Sequence, residues 1–213
     1  MESEHTLMEI AQEISQCKKC GLAGTRKNAV PGEGPSNAEI MLIGEGPGFY
    51  ENEQGRPFVG QAGKFLNELL KNGGLNREDV FITNVVKCRP PGNRDPQDVE
   101  LAACAGYLER QIEAINPLII LTLGRFSMAR YFQTAKISAI HGRASWMDGR
   151  LIVAMYHPAA GLHQPNLKAD IMSDFALLPG FIEKARSERD RQQAESEPAS
   201  EDRQEDATQL SFF

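Results

Sequence analysis

The stretch AEIMLIGEGPG, residues 38–48, decides the fold class. Its first six residues are almost wholly apolar, and a loop with three glycines and one carboxylate follows at once. This order is typical of a buried strand that enters a loop. Similar apolar runs occur at residues 80–86, 118–123 and 151–156, and each predicts a further strand.

Segments with helical spacing separate these runs. They predict helices at residues 6–16, 61–71, 98–115, 125–132 and 168–185. Apolar strands that alternate with helices indicate a parallel sheet that is covered on both faces. We therefore predict an α/β fold of three layers, with a central four-stranded parallel sheet between helices. Ligands of such folds bind at the carboxyl ends of the strands.

Composition indicates one globular domain with a polar tail. The chain has 213 residues, of which 41% are hydrophobic. It has no apolar run as long as a membrane span and no signal-peptide pattern at its start, so we expect a cytoplasmic protein without a membrane partner. Residues 187–213 carry eight acids and three arginines, which leaves −1 of the net charge of −6 on residues 1–186. This balance neither requires nor excludes a nucleic-acid partner.

The tail divides into two parts. Residues 187–208 are polar and charged, which predicts a disordered acidic linker after a domain of residues 1–186. The chain then ends in the largely apolar pentapeptide QLSFF, residues 209–213. An apolar peptide on a solvated tether suggests a docking peptide, and a chance apolar terminus is the alternative.

Four cysteines, Cys17, Cys20, Cys88 and Cys104, are all that the chain contains. The C-x-x-C spacing of the first two lets one tight turn present two sulfurs to one metal centre. Four thiolates suit either a [4Fe–4S] cluster or a structural zinc ion. Disulfides fit a reducing cytoplasm less well. A metal site on these residues would connect the N-terminus with the middle of the chain.

Several side chains near the predicted strand ends suit a flat, polar ligand. Glu45 lies in the glycine loop, and Phe58 in the segment GRPFVG could stack on a flat ring. Asn84 offers a donor and an acceptor to a base edge, and a neutral His157 could donate a hydrogen bond to developing negative charge. Each also has a structural interpretation, namely a strand-to-loop turn, a core phenylalanine, an Asx turn and a structural histidine.

Together and in this order, the motifs resemble those of the family 4 uracil-DNA glycosylases, the iron–sulfur type of bacteria and archaea. The resemblance extends over about residues 8–185. The motifs that carry it are CxxC at 17–20, GEGPG at 44–48, GRPFVG at 55–60, TNVVKCRPP at 83–91, NR at 93–94, Cys104 and HPA at 157–159. It implies an N-glycosyl hydrolase that flips uracil out of DNA and leaves an abasic site for base excision repair. It also implies a [4Fe–4S] cluster, rather than zinc, on the four cysteines.

The resemblance implies that several residues contact the uracil. Phe58 would stack on the flipped base, and Asn84 would bind its polar edge. Glu45 would help to fill the space that a thymine methyl group needs. Gly44 and Gly46 would let the backbone approach the base closely.

The resemblance also implies how the glycosidic bond breaks. His157 would stabilise the departing uracil anion at O2, and Asn93 would act near the sugar or the water. In the related family 1 enzymes an aspartate stands where this chain has Gly46, and it orients the attacking water. Its absence suggests that catalysis here depends on stabilising the leaving group.

Contacts to DNA and to a protein partner are implied as well. The segment around Pro158 and Ala159 would enter the minor groove with Leu162 as a wedge, and Arg89 would contact DNA. This segment departs from the commoner family pattern near its middle.

The terminal peptide is similar to the bacterial sliding-clamp pentapeptide Gln-Leu-Ser/Asp-Leu-Phe. Gln209, Leu210, Phe212 and Phe213 would bind the clamp, with Phe212 where leucine is commoner. We expect a monomer. Two alternatives to a uracil enzyme stay open: a broader glycosylase for hypoxanthine or xanthine, and a non-catalytic iron–sulfur module that binds DNA.

Overall fold

A twisted sheet forms the centre of the fold, and the computed structural model describes residues 2–196 of the chain. The strands are β1 (Ile40–Gly44), β2 (Val80–Asn84), β3 (Ile119–Leu123), β4 (Arg143–Met147) and β5 (Arg150–Met155). Their spatial order is β2-β1-β3-β5-β4. The neighbours within β2-β1-β3-β5 are parallel, and β4 is antiparallel to β5. The predicted α/β class and the four parallel strands are confirmed.

Helices cover the sheet. Within residues 2–196 they are α1 (Glu2–Gln16), α2 (Phe49–Gln54), α3 (Gln61–Asn72), α4 (Asp98–Ile115), α5 (Arg125–Met128), α6 (Ile137–Ile140), α7 (Pro158–His163), α8 (Leu167–Ala176) and α9 (Leu178–Ser196). Single 3-10 turns occupy Gly21–Gly24, Arg77–Asp79 and Pro91–Asn93. None of the described helices is both long and apolar enough to cross a membrane. The helix expected at residues 125–132 is shorter than predicted, because it ends at Met128.

Strand β1 shows why the molecule has three layers. Ile40 and Leu42 pack into the core that α3, α8 and α9 complete, whereas Met41 and Ile43 pack into the core on the side of α4. All five residues of β1 are buried, as are all five of β2 and of β3. Burial on both faces is what a parallel sheet between helix layers requires. Helix α1 packs on the outer side of α4.

Strand β4 was not predicted from the sequence. It lies at the edge of the sheet, where its residues are half-buried or exposed, so it lacks the continuous apolar run of the other strands. Asp148 and Gly149 join it to β5, and both have positive φ angles, 50° and 74°. Such two-residue connections match the twist of an antiparallel hairpin.

The expected linker boundary is wrong in its first ten residues. The prediction placed disorder from residue 187, but α9 is helical through Ser196. Glu188 accepts hydrogen bonds from Arg191 and Gln192 along the helix, and Arg189 donates to Glu39 at 2.9 Å. These contacts stabilise a helix in a segment whose polar, charged sequence predicts a disordered linker. The rest of the linker and the docking peptide, residues 197–213, lie outside the described residues.

Candidate active site

A cavity of about 360 Å³ opens at the carboxyl edge of the sheet. Strands β1 and β2 end there in register, with Gly44 opposite Asn84, and His157 follows the end of β5. The cavity is lined by Glu45, Gly46, Pro47, Gly48, Glu51, Phe58, Ala62, Asn84, Pro90, Asn93, Arg94, His157, Ala159 and His163. The structure thus brings most of the predicted crevice residues to one place, with Gly44 in the strand beneath them.

The amide of Asn84 faces this cavity from the end of a buried strand. Its side chain is 1% exposed, and among the described residues no group donates a hydrogen bond to Oδ1. A buried acceptor without a partner costs about 1–3 kcal/mol, so this atom is suited to a donor that a ligand brings. Gly44 makes the placement possible, because a Cβ atom there would lie 2.4 Å from Oδ1.

The ring of Phe58 forms the wall next to this amide. Its residue has a φ of 49°, a left-handed conformation that is uncommon for an aromatic residue. Two features hold it: Arg77 Nη1 donates to the Phe58 carbonyl at 3.1 Å, and Gly63 lets α3 approach, since a Cβ there would lie 1.8 Å from that carbonyl oxygen. The ring stacks on the His157 imidazole with centroids 5.5 Å apart and planes 28° apart.

His157 is held as a neutral donor. Its Nδ1 accepts a hydrogen bond of 3.2 Å from the backbone N–H of Ala159, so the neutral ring carries its proton on Nε2. His157 lines the cavity and is half-buried, and protein atoms pack densely around its imidazole ring. This burial lowers the pKa of His157 to about 4, with Glu51 acting in the opposite direction. At neutral pH the site therefore offers an uncharged N–H donor.

Glu51 is a cavity residue that the sequence analysis missed. Its carboxylate accepts from the backbone N–H groups of Val59 at 2.8 Å, Gly60 at 2.9 Å and Gly48 at 3.1 Å. It thereby joins the start of α2 to the loop that carries Phe58. The only signal in the sequence is a glutamate in the first turn of a short helix, three residues after a glycine.

Arg77 was missed for a similar reason. Beyond the Phe58 carbonyl, it donates to the Pro57 carbonyl at 2.5 Å and to Glu33 at 3.1 Å. Glu33 accepts hydrogen bonds from both Arg56 and Arg77, and these hold the pKa of the Glu33 carboxyl below its usual range. An arginine in a turn before β2 gives no hint in the sequence that it supports a loop about twenty residues earlier.

The opposite rim of the cavity carries charged groups. Burial raises the pKa of Glu45, nearby Asp95 raises it further, and Arg125 lowers it. Asn93, with a φ of 54°, accepts from Arg89 Nε at 2.7 Å. The guanidinium group of Arg89 thus supplies positive charge close to the cavity, whereas that of Arg125 is paired with the Asp95 carboxylate.

The family model described as the Uracil DNA glycosylase superfamily matches residues 31–176. The chain is also 49% identical over 183 residues to a type-4 uracil-DNA glycosylase of Sulfurisphaera tokodaii, with 81% of this chain and 83% of the relative covered. The chain belongs to the type-4 uracil-DNA glycosylase family. Relatives of the same description from Archaeoglobus fulgidus and Thermotoga maritima are 47% and 41% identical. Their alignments cover 81% and 86% of this chain and 92% and 99% of the relatives. The resemblance drawn from the motifs is confirmed.

The four cysteines of this family member are all free of disulfides. Cys88 and Cys104 are buried and pack in one cluster with Cys20, whereas Cys17 packs at the end of α1. Arg26 Nη1 donates to Cys88 Sγ at 3.3 Å. As placed, no group of three or more His, Cys, Asp or Glu side chains among residues 2–196 could hold a metal ion.

The segment expected to contact DNA divides into buried and exposed parts. Pro158 is buried and begins α7, where a proline at the first helical position helps to start the helix, and its contact with DNA stays a prediction. Ala159 lies in the cavity wall, and Leu162 is 44% exposed on the same short helix. Arg89 is half-buried beside Asn93. Leu162 and Arg89 keep their place as predicted contacts.

Proposed function

We propose that this chain removes uracil from DNA by hydrolysing its N-glycosidic bond and leaves an abasic site for base excision repair. The observation that carries the proposal is the buried Asn84 Oδ1 without a partner, beside the Phe58 ring, in a chain of the uracil-DNA glycosylase family. The N3–H group of uracil supplies the donor that Oδ1 lacks, and the Asn84 amide N–H donates to O4. Cytosine has an acceptor at N3 and a donor at N4, so it meets the wrong groups.

Leaving-group stabilisation by His157 is the proposed source of rate. The C1′–N1 bond breaks with its electron pair on the uracil, and the Nε2–H group of His157 donates to O2, where negative charge develops. Water then adds to C1′ of the sugar and gives up a proton to solvent. One well-placed donor of this kind is worth about 10²–10³ in rate. Gly46 offers no carboxylate to activate the water, so the water adds to a sugar that has already become cationic.

Thymine is proposed to be excluded by shape. Glu45 lies in the wall of the cavity, half-buried, where a 5-methyl group would need space. A pocket that merely rejects one methyl group discriminates by about 10–200-fold. The extrusion of a nucleotide costs a few kcal/mol, least for a mispaired base, so uracil opposite guanine is favoured further.

The cysteines are proposed to hold a [4Fe–4S] cluster with a structural role. The donor set fits, because all four cysteines are free thiols, and Cys20, Cys88 and Cys104 pack in one cluster while Cys17 packs at the end of α1. A bound cluster would tie the segment after α1 to the start of α4 and to the loop after β2. The chemistry at the sugar needs no contribution from it.

The sliding clamp is the proposed protein partner, through Gln209, Leu210, Phe212 and Phe213. These residues lie outside the described part of the chain, and the proposal is supported by their similarity to the clamp pentapeptide alone. A terminal peptide of this kind would raise the local concentration of the enzyme at replicating DNA. The monomeric state and the cytoplasmic location stay predictions.

A strand-cleavage assay tests the proposed reaction. An oligonucleotide with a single uracil is incubated with the protein and then treated with alkali, in parallel with otherwise identical thymine, cytosine, hypoxanthine and xanthine substrates. We expect alkali-labile sites at uracil only, and a loss of about 10²–10³ in single-turnover rate for His157→Ala. His5→Ala, an exposed histidine of α1, is the matched control. Binding of the uracil strand without an abasic product would contradict the proposal, and cleavage at hypoxanthine or xanthine would extend the substrate range.

A further inference from the structure

Two adjacent aromatic side chains are exposed between residues that line the cavity. Phe49 and Tyr50, the first two residues of α2, are 51% and 56% exposed. Their rings are 5.5 Å apart and nearly perpendicular, at 85°. Among residues 2–196 the only other exposed aromatic side chain is Trp146, on the edge strand β4. The sequence analysis assigned no role to this pair.

The position of the pair is fixed relative to the cavity. Gly48 and Glu51, which flank the two aromatics in the chain, both line the cavity. Tyr50 packs against the loop of Phe58, since a Cβ atom on Gly60 would lie 3.3 Å from its Cδ2 atom. The carboxylate of Glu51 bonds α2 to the same loop. The aromatic rings therefore stand on a rigid support at the rim rather than on a free loop.

A positive charge lies beside the pair. The guanidinium carbon of Arg89 lies 5.3 Å from the centroid of the Phe49 ring. Its orientation is set by the 2.7 Å hydrogen bond from Nε to Asn93, a residue that lines the cavity. Aromatic faces next to an arginine are the elements with which proteins bind single-stranded nucleic acid, because bases stack on the rings and the cation attracts the phosphate.

We propose that Phe49 and Tyr50 form a stacking platform for the base next to the flipped uracil on the same strand, with Arg89 beside the connecting phosphate. The inference rests on the proposed function, because it needs a uracil nucleotide in the cavity. A base flipped out of the helix leaves its neighbours partly unstacked, and a platform at the rim restores one of these contacts. The platform also allows binding to single-stranded DNA, in which neighbouring bases are free to turn outward.

Binding to single-stranded oligonucleotides tests the platform. The probe carries one 2′-fluoro-2′-deoxyuridine, whose fluorine slows hydrolysis, and either normal neighbours or an abasic tetrahydrofuran residue on the 5′ or the 3′ side. For the wild type, we expect one of the two abasic probes to bind about 5- to 100-fold more weakly, the loss of one stacked base. For Phe49→Leu/Tyr50→Leu, we expect weak binding of the normal probe and less than about a twofold further loss on the abasic one.

Matched variants separate stacking from other effects. Tyr50→Phe keeps both rings and should bind like the wild type, and Trp146→Leu removes an exposed aromatic far along the sheet edge. If the double variant unfolds earlier than the wild type, Phe49→Leu alone carries the comparison. An equal loss on the abasic probe for wild type and variant would overturn the proposal, as would wild-type affinity of the variant for the normal probe.

Excision from an ordinary deoxyuridine strand by the wild type is measured alongside. Its absence would count against the proposed function, whereas excision with no effect of the variants would count against the platform alone.

Discussion

The cavity at the carboxyl edge of the sheet and the region of the four cysteines meet in the chain between Asn84 and Cys88 but differ in construction. The cavity has an unpartnered buried amide at Asn84, a left-handed Phe58 and a histidine fixed in one tautomer. The cysteine region has two buried cysteines, Cys88 and Cys104, in an apolar cluster with Leu22 and Val86, and two half-buried ones, Cys17 and Cys20. Groups that are left unsatisfied or strained are typical of a site that acts on a ligand, whereas an enclosed apolar cluster is typical of a structural site.

A buried lysine joins the two regions. Lys87 is 1% exposed, and its ammonium group donates to Thr83 Oγ1 at 2.6 Å, to Gln111 Oε1 at 2.7 Å and to the Asn84 carbonyl at 2.9 Å. Lys87 therefore links the end of β2, where Asn84 lies, to Gln111 on α4. It also directly precedes Cys88, a residue of the cysteine region. Because Lys87 links the two regions, their separate contributions to stability and rate are measured with variants that change one region and leave the other intact.

The largest effect is expected in the cysteine region. Cys88→Ser should remove a ligand of the proposed cluster and lower the thermal midpoint sharply, because structural metal sites contribute roughly 10 kcal/mol to folding. The measurement is iron and sulfide content together with thermal unfolding of the purified protein. A variant that keeps the wild-type midpoint and cluster content but loses uracil excision would contradict the structural role and would place the cysteine in the chemistry.

Asn84→Asp tests the cavity alone. The side chain keeps its shape but loses the two N–H donors that the proposed site offers to O4, and its negative charge opposes that oxygen. We expect the single-turnover rate on uracil to fall by about 10²–10³ with the iron content unchanged, while the buried carboxylate lowers the thermal midpoint, so the rate is measured well below that midpoint. Asn37→Asp, an exposed asparagine in the loop before β1, serves as the control. Unchanged excision by Asn84→Asp would remove this residue from base recognition.

Lys87→Met should disturb both regions to a smaller degree. The substitution leaves the Thr83 hydroxyl, the Gln111 amide oxygen and the Asn84 carbonyl without their donor, at about 1–3 kcal/mol for each group left unsatisfied. We expect a lower free energy of unfolding in denaturant and a rate loss of about tenfold. Lys64→Met, on the exposed side of α3, should change neither quantity. A loss of stability with the full rate retained would show that Lys87 does not position Asn84.

The sequence predicted those features that depend on local pattern. Apolar runs identified the four buried strands, and the residues at their ends, Asn84 and His157, lie in the cavity as expected. Strand β4 was missed because an edge strand with exposed side chains has no such run. Glu51 was missed because its function depends on where the Val59 and Gly60 N–H groups lie in space.

Long-range partners also explain why the helix α9 extends into the segment predicted to be a linker. Residues 187–196 have the composition of a linker, yet they are helical in a segment where Arg189 pairs with Glu39, far away in the chain. Local propensity gives no information on such a partner. The exposed pair at residues 49–50 was overlooked for a related reason: an apolar residue in a short helix is normally interpreted as core.

The pH dependence of the single-turnover rate tests most directly whether neutral His157 stabilises the leaving group. With a pKa near 4, His157 stays neutral as the pH falls from 8 to about 5.5, so the rate that depends on it should stay flat over this range. Folding stability should fall as the pH drops from about 6.5, the unfolded pKa, to about 4, the folded pKa, because in this window the unfolded chain binds a proton that the folded imidazole does not. Below about 4, protonation of the folded ring would remove the Nδ1 lone pair that accepts from Ala159. A flat profile that His157→Ala lowers uniformly supports the account. A wild-type rate that falls steadily as the pH rises through 6.5 would show that a protonated imidazole stabilises the leaving group. That result would contradict the role of neutral His157.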